Sequence, residues 1–263
     1  YQRVAVLPQH GRQQAPQRQT HGLRQDPRRD GCARQDGERE GEGFQAGDGH
    51  RPEVDPAHRW CGSTGRVSGA HFEAGREASH TAVERFIEEY FQTPDTWSVS
   101  KCGEQILSTI NLKLFRKSHE FASDTKGYLS TFSAVVIKGR TAHFFHVGDS
   151  RIFLLRGDEF SQCTTDHVAS LGGGKTFLTR AIGMDNRLHL DYGRIPLEAG
   201  DRLLLCSDGV HDFIEEAKII ETLAMDQPAE FIADKFLDLA REGETDDNIS
   251  AVVGIVEQLP FEN

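Results

Sequence analysis

From Tyr1 to Trp60 the side chains that build a core are nearly missing: Val4, Val6, Leu7, Leu23, Phe44, Val54 and little else. No isoleucine occurs before Ile87 and no lysine before Lys101. Such a segment cannot offset its chain entropy by burial, so disorder is expected, or sequence read out of frame. Its arginines do not make a nucleic-acid arm, because interspersed Asp and Glu nearly cancel them. The formal charge of −11 excludes a general affinity for nucleic acid or anionic membrane. No run approaches the roughly 18 to 20 apolar residues of a membrane span, and no charged-then-apolar leader opens the chain. Five cysteines, with no C-x-x-C pair among Cys32, Cys61, Cys102, Cys163 and Cys206, suggest scattered thiols rather than disulfides or a zinc site. A cytoplasmic protein is expected.

Foldable sequence begins near Glu73. In "AGREASHTAVERFIEEYF", Val83, Phe86, Ile87 and Tyr90 recur at the spacing of an amphipathic helix. A second helix after Pro94 carries Leu107, Ile110 and Leu114 on one face. The period then shortens. "YLSTFSAVVIKGRTAHFFHVGDSRIFLLRGDEFSQCT" reads as strands of an antiparallel meander, with turns at Lys138-Gly139, Gly148-Asp149 and Arg156-Gly157-Asp158. After the loop Gly172 to Gly174, "LHLDYGRIPL" and "DRLLLCSD" are expected to pair through the turn Glu198-Ala-Gly200. Two more helices follow, the second with Ile232, Phe236, Leu239 and Ala240 on one stripe, and "NISAVVGIV" closes as a strand. This order implies an α+β fold rather than a parallel βαβ series. The expected organisation is a disordered or out-of-frame segment at 1–72, a folded domain at 73–258 and a tail at 259–263.

Asp149 in "HVGDSR", Asp208 in "CSDG" and Asp246-Asp247 in "ETDDNIS" each lie where an apolar strand begins or ends. If those ends share one rim, like charges converge and a cation is needed to neutralise them. Oxygen-only ligands suit Mg²⁺ or Mn²⁺. Any one of these sites alone reads more readily as an ordinary turn, made by Asp or Asn next to Gly, and only the three together favour a cation site.

The stretch from Ala74 to Val256, roughly two thirds of the chain, resembles the metal-dependent protein serine/threonine phosphatases of type 2C. The resemblance rests on "GYLSTFSAVVIKG", "HVGDSRIFLLRGDEFSQCTTDH", "LTRAIG", "GDRLLLCSDGVHDFI" and "DDNISAVV", in the family's order. It is nearest to bacterial members, including those whose phosphatase domain precedes a kinase domain. The resemblance implies a four-layer α-β-β-α sandwich, two antiparallel sheets flanked by helical pairs, with two Mn²⁺ or Mg²⁺ ions at one end. It implies Asp208 and Asp247 as metal ligands, and Asp149 at a third, weaker position shared with Asp208. Gly148, Gly209 and Asn248 would support them, Asn248 holding the Asp247 turn and Gly209 letting the backbone pass close to the metals. The implied substrate is a phosphorylated protein, the implied partner a protein kinase acting on the same substrates, and the implied reaction attack of a metal-activated water on phosphorus.

Two parts of the family pattern are missing. No early strand carries an "N-x-D" acid, and Gly65-Arg66, or a close neighbour, stands where a metal-bridging Asp-Gly is expected. No catalytic residue beyond the metal ligands is therefore assignable. Either the N-terminus is truncated or out of frame, or the chain is a pseudophosphatase that keeps the fold as a binding or regulatory module. Both accounts predict weak activity, and missing initial strands would expose sheet edges and lower solubility.

Other patterns have simpler readings. "GGGKT" at Gly172–Thr176 lacks the remaining glycine and the buried strand of a phosphate-binding loop. Arg156-Gly157-Asp158 is a hairpin turn. His10, His21, His50 and His58 have no metal spacing, His146 is expected to be structural, His167 is open, and His71 lies where the family alignment fails.

Overall fold

A computed structural model describes residues 2–8, 62–63, 70–120, 127–170, 176–245 and 247–259. The described residues belong to one compact unit.

Two long helices, α1 (Ala70–Tyr90) and α2 (Val99–Glu120), precede most of the strands. The expected stripes are the buried faces: Phe86, Tyr90, Leu107, Ile110 and Leu114 are buried, with Val83 and Ile87 packed beside them. They cover one face of a four-stranded sheet. Its strands are β1 (Gln2–Pro8), β3 (Phe132–Lys138), β4 (Thr141–Val147) and β9 (Asp191–Pro196), hydrogen-bonded in that order. Phe86 packs edge-on against Phe132 and Phe145 at 5.3 and 5.9 Å between ring centres, joining helix to sheet.

A five-stranded sheet lies behind the first, ordered β2 (Gly62–Ser63), β11 (Ile249–Ile255), β10 (Arg202–Cys206), β5 (Arg151–Arg156) and β6 (Glu159–Gln162). Alternation along β10 explains the layering. Leu203 and Leu205 face Val135, Ala142, Ile152 and Leu154 between the sheets, whereas Leu204 and Cys206 face the helices on the other side. Those helices are α3 (Asp208–His211), α4 (Glu216–Leu223) and α5 (Ala229–Glu242), the last burying Ile232, Phe236 and Ala240 of its predicted stripe with Leu239 packed beside them. A small hairpin of β7 (Val168–Ser170) and β8 (Thr176–Leu178) stands apart. The result is the expected α-β-β-α sandwich.

Three expectations need correction. Residues 1–72 are not structureless throughout. Gln2–Pro8 pairs with the whole of β3, from Gln2 opposite Lys138 to Pro8 opposite Phe132, Gly62–Ser63 pairs with β11, and α1 begins at Ala70. Averaging over sixty residues hid that Val4, Val6 and Leu7 fall within seven, a local run of strand formers. The initial strands are therefore partly present: β1 covers β3, while β2 covers only Ile249 and Ser250 of β11.

The strands around Gly148-Asp149 are not one meander. β3 and β4 pair in the first sheet, β5 and β6 in the second, so Gly148-Asp149 is a crossing between sheets. Likewise β9 pairs with β4 and not with β10, and Glu198–Gly200 is a second crossing, at the opposite end. Local spacing cannot tell a hairpin from such a crossing, because both need only a turn; which edge a strand joins is decided by tertiary burial. The turn at Arg156-Gly157-Asp158 is the expected hairpin, with Gly157 at φ 56°.

The histidines of the arm, Gly65-Arg66, Asp246 and the loop Gly172–Gly174 lie outside the described residues, as does the side chain of His71.

Candidate metal-binding rim

The second sheet decides where the acidic turns meet. Cys206, the last residue of β10, stands opposite Arg151 on one side and Ala251 on the other. Antiparallel neighbours begin where their partners end, so the chain before β5, after β10 and before β11 emerges at a single rim. Asp149 stands two residues before Arg151, Asp208 two after Cys206, and Asp247 four before Ala251. β2 runs to the same rim against the first residues of β11.

Hydrogen bonds then join the turns. Ser207 donates its backbone N–H to the Ser250 carbonyl at 3.0 Å and its hydroxyl to the Asn248 carbonyl at 3.2 Å, and its oxygen accepts the Ser250 N–H at 3.0 Å. Asp208 follows as the first residue of α3, 7% exposed, with Oδ1 accepting the Gly209 N–H at 2.8 Å. Gly209 lies so close to the neighbouring turn that a Cβ there would sit 2.4 Å from the Asn248 carbonyl oxygen. Asp247 Oδ1 in turn accepts the Asn248 N–H at 2.7 Å, and the Asp247 N–H donates to Thr245 Oγ1 at 3.2 Å.

Asp149 is tied to the same place from the other side. His211, at the end of α3, donates Nε2–H to the Asp149 carbonyl at 3.0 Å. Gly148 takes φ 117°, a left-handed conformation that only glycine adopts freely, and a Cβ there would strike Thr131 at 2.3 Å. Its N–H donates to His167 Nδ1 at 3.1 Å. That fixes the His167 tautomer, since Nε2 must then carry the proton it gives to Asp191 at 3.0 Å. Burial works to raise the Asp191 carboxyl, but the His167 hydrogen bond and the Arg180 guanidinium at 3.0 Å outweigh it and hold the carboxyl low. His167 therefore braces the Gly148 turn.

His146 is structural, as expected. Ser150 and Ser133 hydroxyls lie 2.6 Å apart, Ser133 reaches His146 Nδ1 at 3.0 Å, and Nε2–H donates to the Thr165 carbonyl at 3.2 Å. Burial pushes its pKa down to about 4.

Four further residues, Arg151, Asp166, His211 and Asp212, take part in ways the sequence does not display. Arg151 makes a two-pronged ion pair with Asp166, its shortest contact 2.7 Å, which joins "GDSR" to "T-x-DH". His211 bridges two acidic turns. Asp212 lies beside it, Oδ1 3.0 Å from His211 Nδ1. The available signal was a histidine three residues beyond Asp208, one helical turn on from an acidic strand end.

The donor set fits a hard divalent cation in kind: carboxylate oxygens on one rim, one of them nine-tenths buried, without a thiolate. It is incomplete in number. Among the described residues, no three His, Cys, Asp or Glu side chains come close enough together to hold an ion.

A sequence model of the family described as Protein phosphatase 2C matches residues 55–242. Protein phosphatase PhpP of Streptococcus pneumoniae is 33% identical over 143 residues, which cover 48% of this chain and 57% of that protein. The chain thus spans a little over half the length of that relative. The crystal structure of the Mycobacterium tuberculosis serine/threonine phosphatase PstP/Ppp superposes with a TM-score of 0.63 at 26% identity, over 73% of this chain and 86% of that one. The structure of the PstP catalytic domain in complex with two manganese ions gives 0.62 at 27% identity, over 73% and 85%.

Proposed function

The chain belongs to the protein phosphatase 2C family, and from that premise we propose that it hydrolyses phosphoserine and phosphothreonine in proteins with divalent ions held at the acidic rim. Asp208 and Asp247 are the proposed ligands, with Asp149 at a third, weaker position shared with Asp208, and Mn²⁺ or Mg²⁺ as the ion. An ion of this kind, when bound, supplies the charge that polarises phosphoryl oxygens and makes water a better nucleophile at neutral pH.

The protein's own part is placement. Asp208 is held on a buried strand end by the Ser207 hydrogen bonds. Gly209 and Asn248 keep the Asp247 turn against it, and Gly148 turns the chain so that Asp149 enters the rim between the sheets. The observation that carries the reading is the shared row of Arg151, Cys206 and Ala251, which brings three acidic turns to one end of one sheet.

A second reading, an inactive domain that binds phosphoprotein or regulates a partner, is favoured by the incomplete set of donors among the described residues. The deciding experiment is Mn²⁺-dependent hydrolysis of a phosphothreonine peptide by the full chain beside Asp208→Asn. Turnover lost at least ~100-fold in the variant, and lost on chelation, is the expected result. Phosphopeptide binding without turnover, unaffected by Asp208→Asn, would overturn the hydrolase in favour of the binding module.

The substrate is proposed to be a phosphoprotein that a protein kinase also modifies, in the cytoplasm. No helix among the described residues is long and apolar enough to cross a membrane. The phosphatase domain is proposed to occupy 70–258, with 259–263 as a tail and with the strands at Gln2–Pro8 and Gly62–Ser63 joining its two sheets.

A further inference from the structure

His211 reaches across from the Asp208 helix to the Asp149 turn. Its side chain is 2% exposed. A carbonyl oxygen can only accept, so the 3.0 Å contact requires the proton on Nε2. The other nitrogen, Nδ1, is buried and makes no hydrogen bond, although it lies 3.0 Å from Asp212 Oδ1. A buried ring with one nitrogen unsatisfied is costly if packing is its only role, because a buried polar atom without a partner loses its hydration for nothing. An apolar ring would fill the space without that loss. The bond that His211 does make has a geometric consequence: it joins the turn between the sheets to a helix whose first residue is Asp208.

We propose that His211 is a positioning residue for the cation site: its Nε2–H holds the Asp149 turn at a fixed distance from Asp208, so that the rim is set before an ion arrives. The inference rests on the reading of the rim as a divalent-cation site. Without the bond, the Asp149 turn keeps the Gly148–His167 contact but loses this hydrogen bond to α3. The cost then falls on cation affinity more than on stability, as for other groups that orient metal ligands without touching the metal.

The test is Mn²⁺ binding by titration calorimetry, with thermal unfolding in chelator, on the full chain and on His211→Phe, His211→Asn and His211→Gln. A glutamine amide can occupy the place of Nε2 and donate; asparagine reaches only to the level of Nδ1, and phenylalanine keeps volume alone. The expected result is Mn²⁺ affinity reduced roughly 10- to 100-fold in the Phe and Asn variants and largely restored in Gln, while the metal-free melting temperature of the Phe variant stays near that of the parent. Unchanged affinity in the Phe variant would overturn the positioning role and leave the cation site standing. So would weakening in all three variants that follows their melting temperatures, since that is loss of fold. A parent chain that binds no Mn²⁺ would sink the cation site and this inference with it.

Discussion

His146 is neutral because it is sealed between the sheets and the Thr165 carbonyl, with a pKa pushed down to about 4 from an ordinary 6.5. The unfolded chain takes up a proton at this ring near pH 6.5, whereas the folded chain does not until near pH 4. Stability from this group is therefore complete above about pH 6.5 and is lost as the pH falls toward 4. Between pH 7 and pH 5 the loss amounts to about 2 kcal/mol. Urea unfolding at both pH values should show this loss in the parent, and a loss smaller by about that amount in His146→Gln. Equal pH dependence in the two proteins would mean that His146 is protonated in the fold. The cysteines are the opposite case at this scale. Burial pushes the Cys163 thiol up to about 11 and the Cys206 thiol higher, so neither is a nucleophile at neutral pH.

Between elements, the rim depends on how closely α3 approaches the start of β11. Gly209 marks that approach, and a methyl group there would collide with backbone at 2.4 Å, where no side chain can rotate away. Gly209→Ala is expected to destabilise by about 1–3 kcal/mol through overpacking. Gly254→Ala, whose Cβ would rest 3.9 Å from Leu203 Cβ, is the control and should lie within about 0.5 kcal/mol of the parent. Denaturant midpoints measure both. Equal midpoints for the two variants would show that the Asn248 turn yields, and that the close packing at the rim is not rigid. At the far end of the same strands, Arg156 holds Asp201 with contacts of 2.8 and 2.7 Å. The crossing from β9 to β10 is thereby anchored by a side-chain ion pair.

For the whole molecule the decisive feature is which strands close the sheets. β1 covers all seven residues of β3, which would otherwise present an open row of backbone donors and acceptors. Deleting residues 1–8 is expected to lower the melting temperature by several degrees, on the order of 2–4 °C per kcal/mol lost, and to promote self-association. Differential scanning calorimetry and light scattering would read these effects. An unchanged melting temperature in a monodisperse sample would show that β3 needs no cover.

The sequence by itself determined the helical stripes, the strand runs and the acidic turns, because periodicity and turn chemistry act between residues a few positions apart. Phe86, Leu107, Ile110 and Phe236 are buried as their spacing requires. The family motifs likewise lay in short contiguous runs. Only the tertiary structure decided which sheet each strand joined, since a turn at Gly148-Asp149 serves a hairpin and a crossing alike. That choice carries Asp149 from the first sheet to the rim of the second. The strand at Gln2–Pro8 escaped notice because its partner, β3, lies more than 120 residues away, and because the arginine-, glutamine- and glycine-rich residues after Pro8 dilute its own apolar run. The tie from His211 to Asp149 spans 62 positions and was invisible for the same reason: hydrogen bonds between distant turns leave no period in the chain.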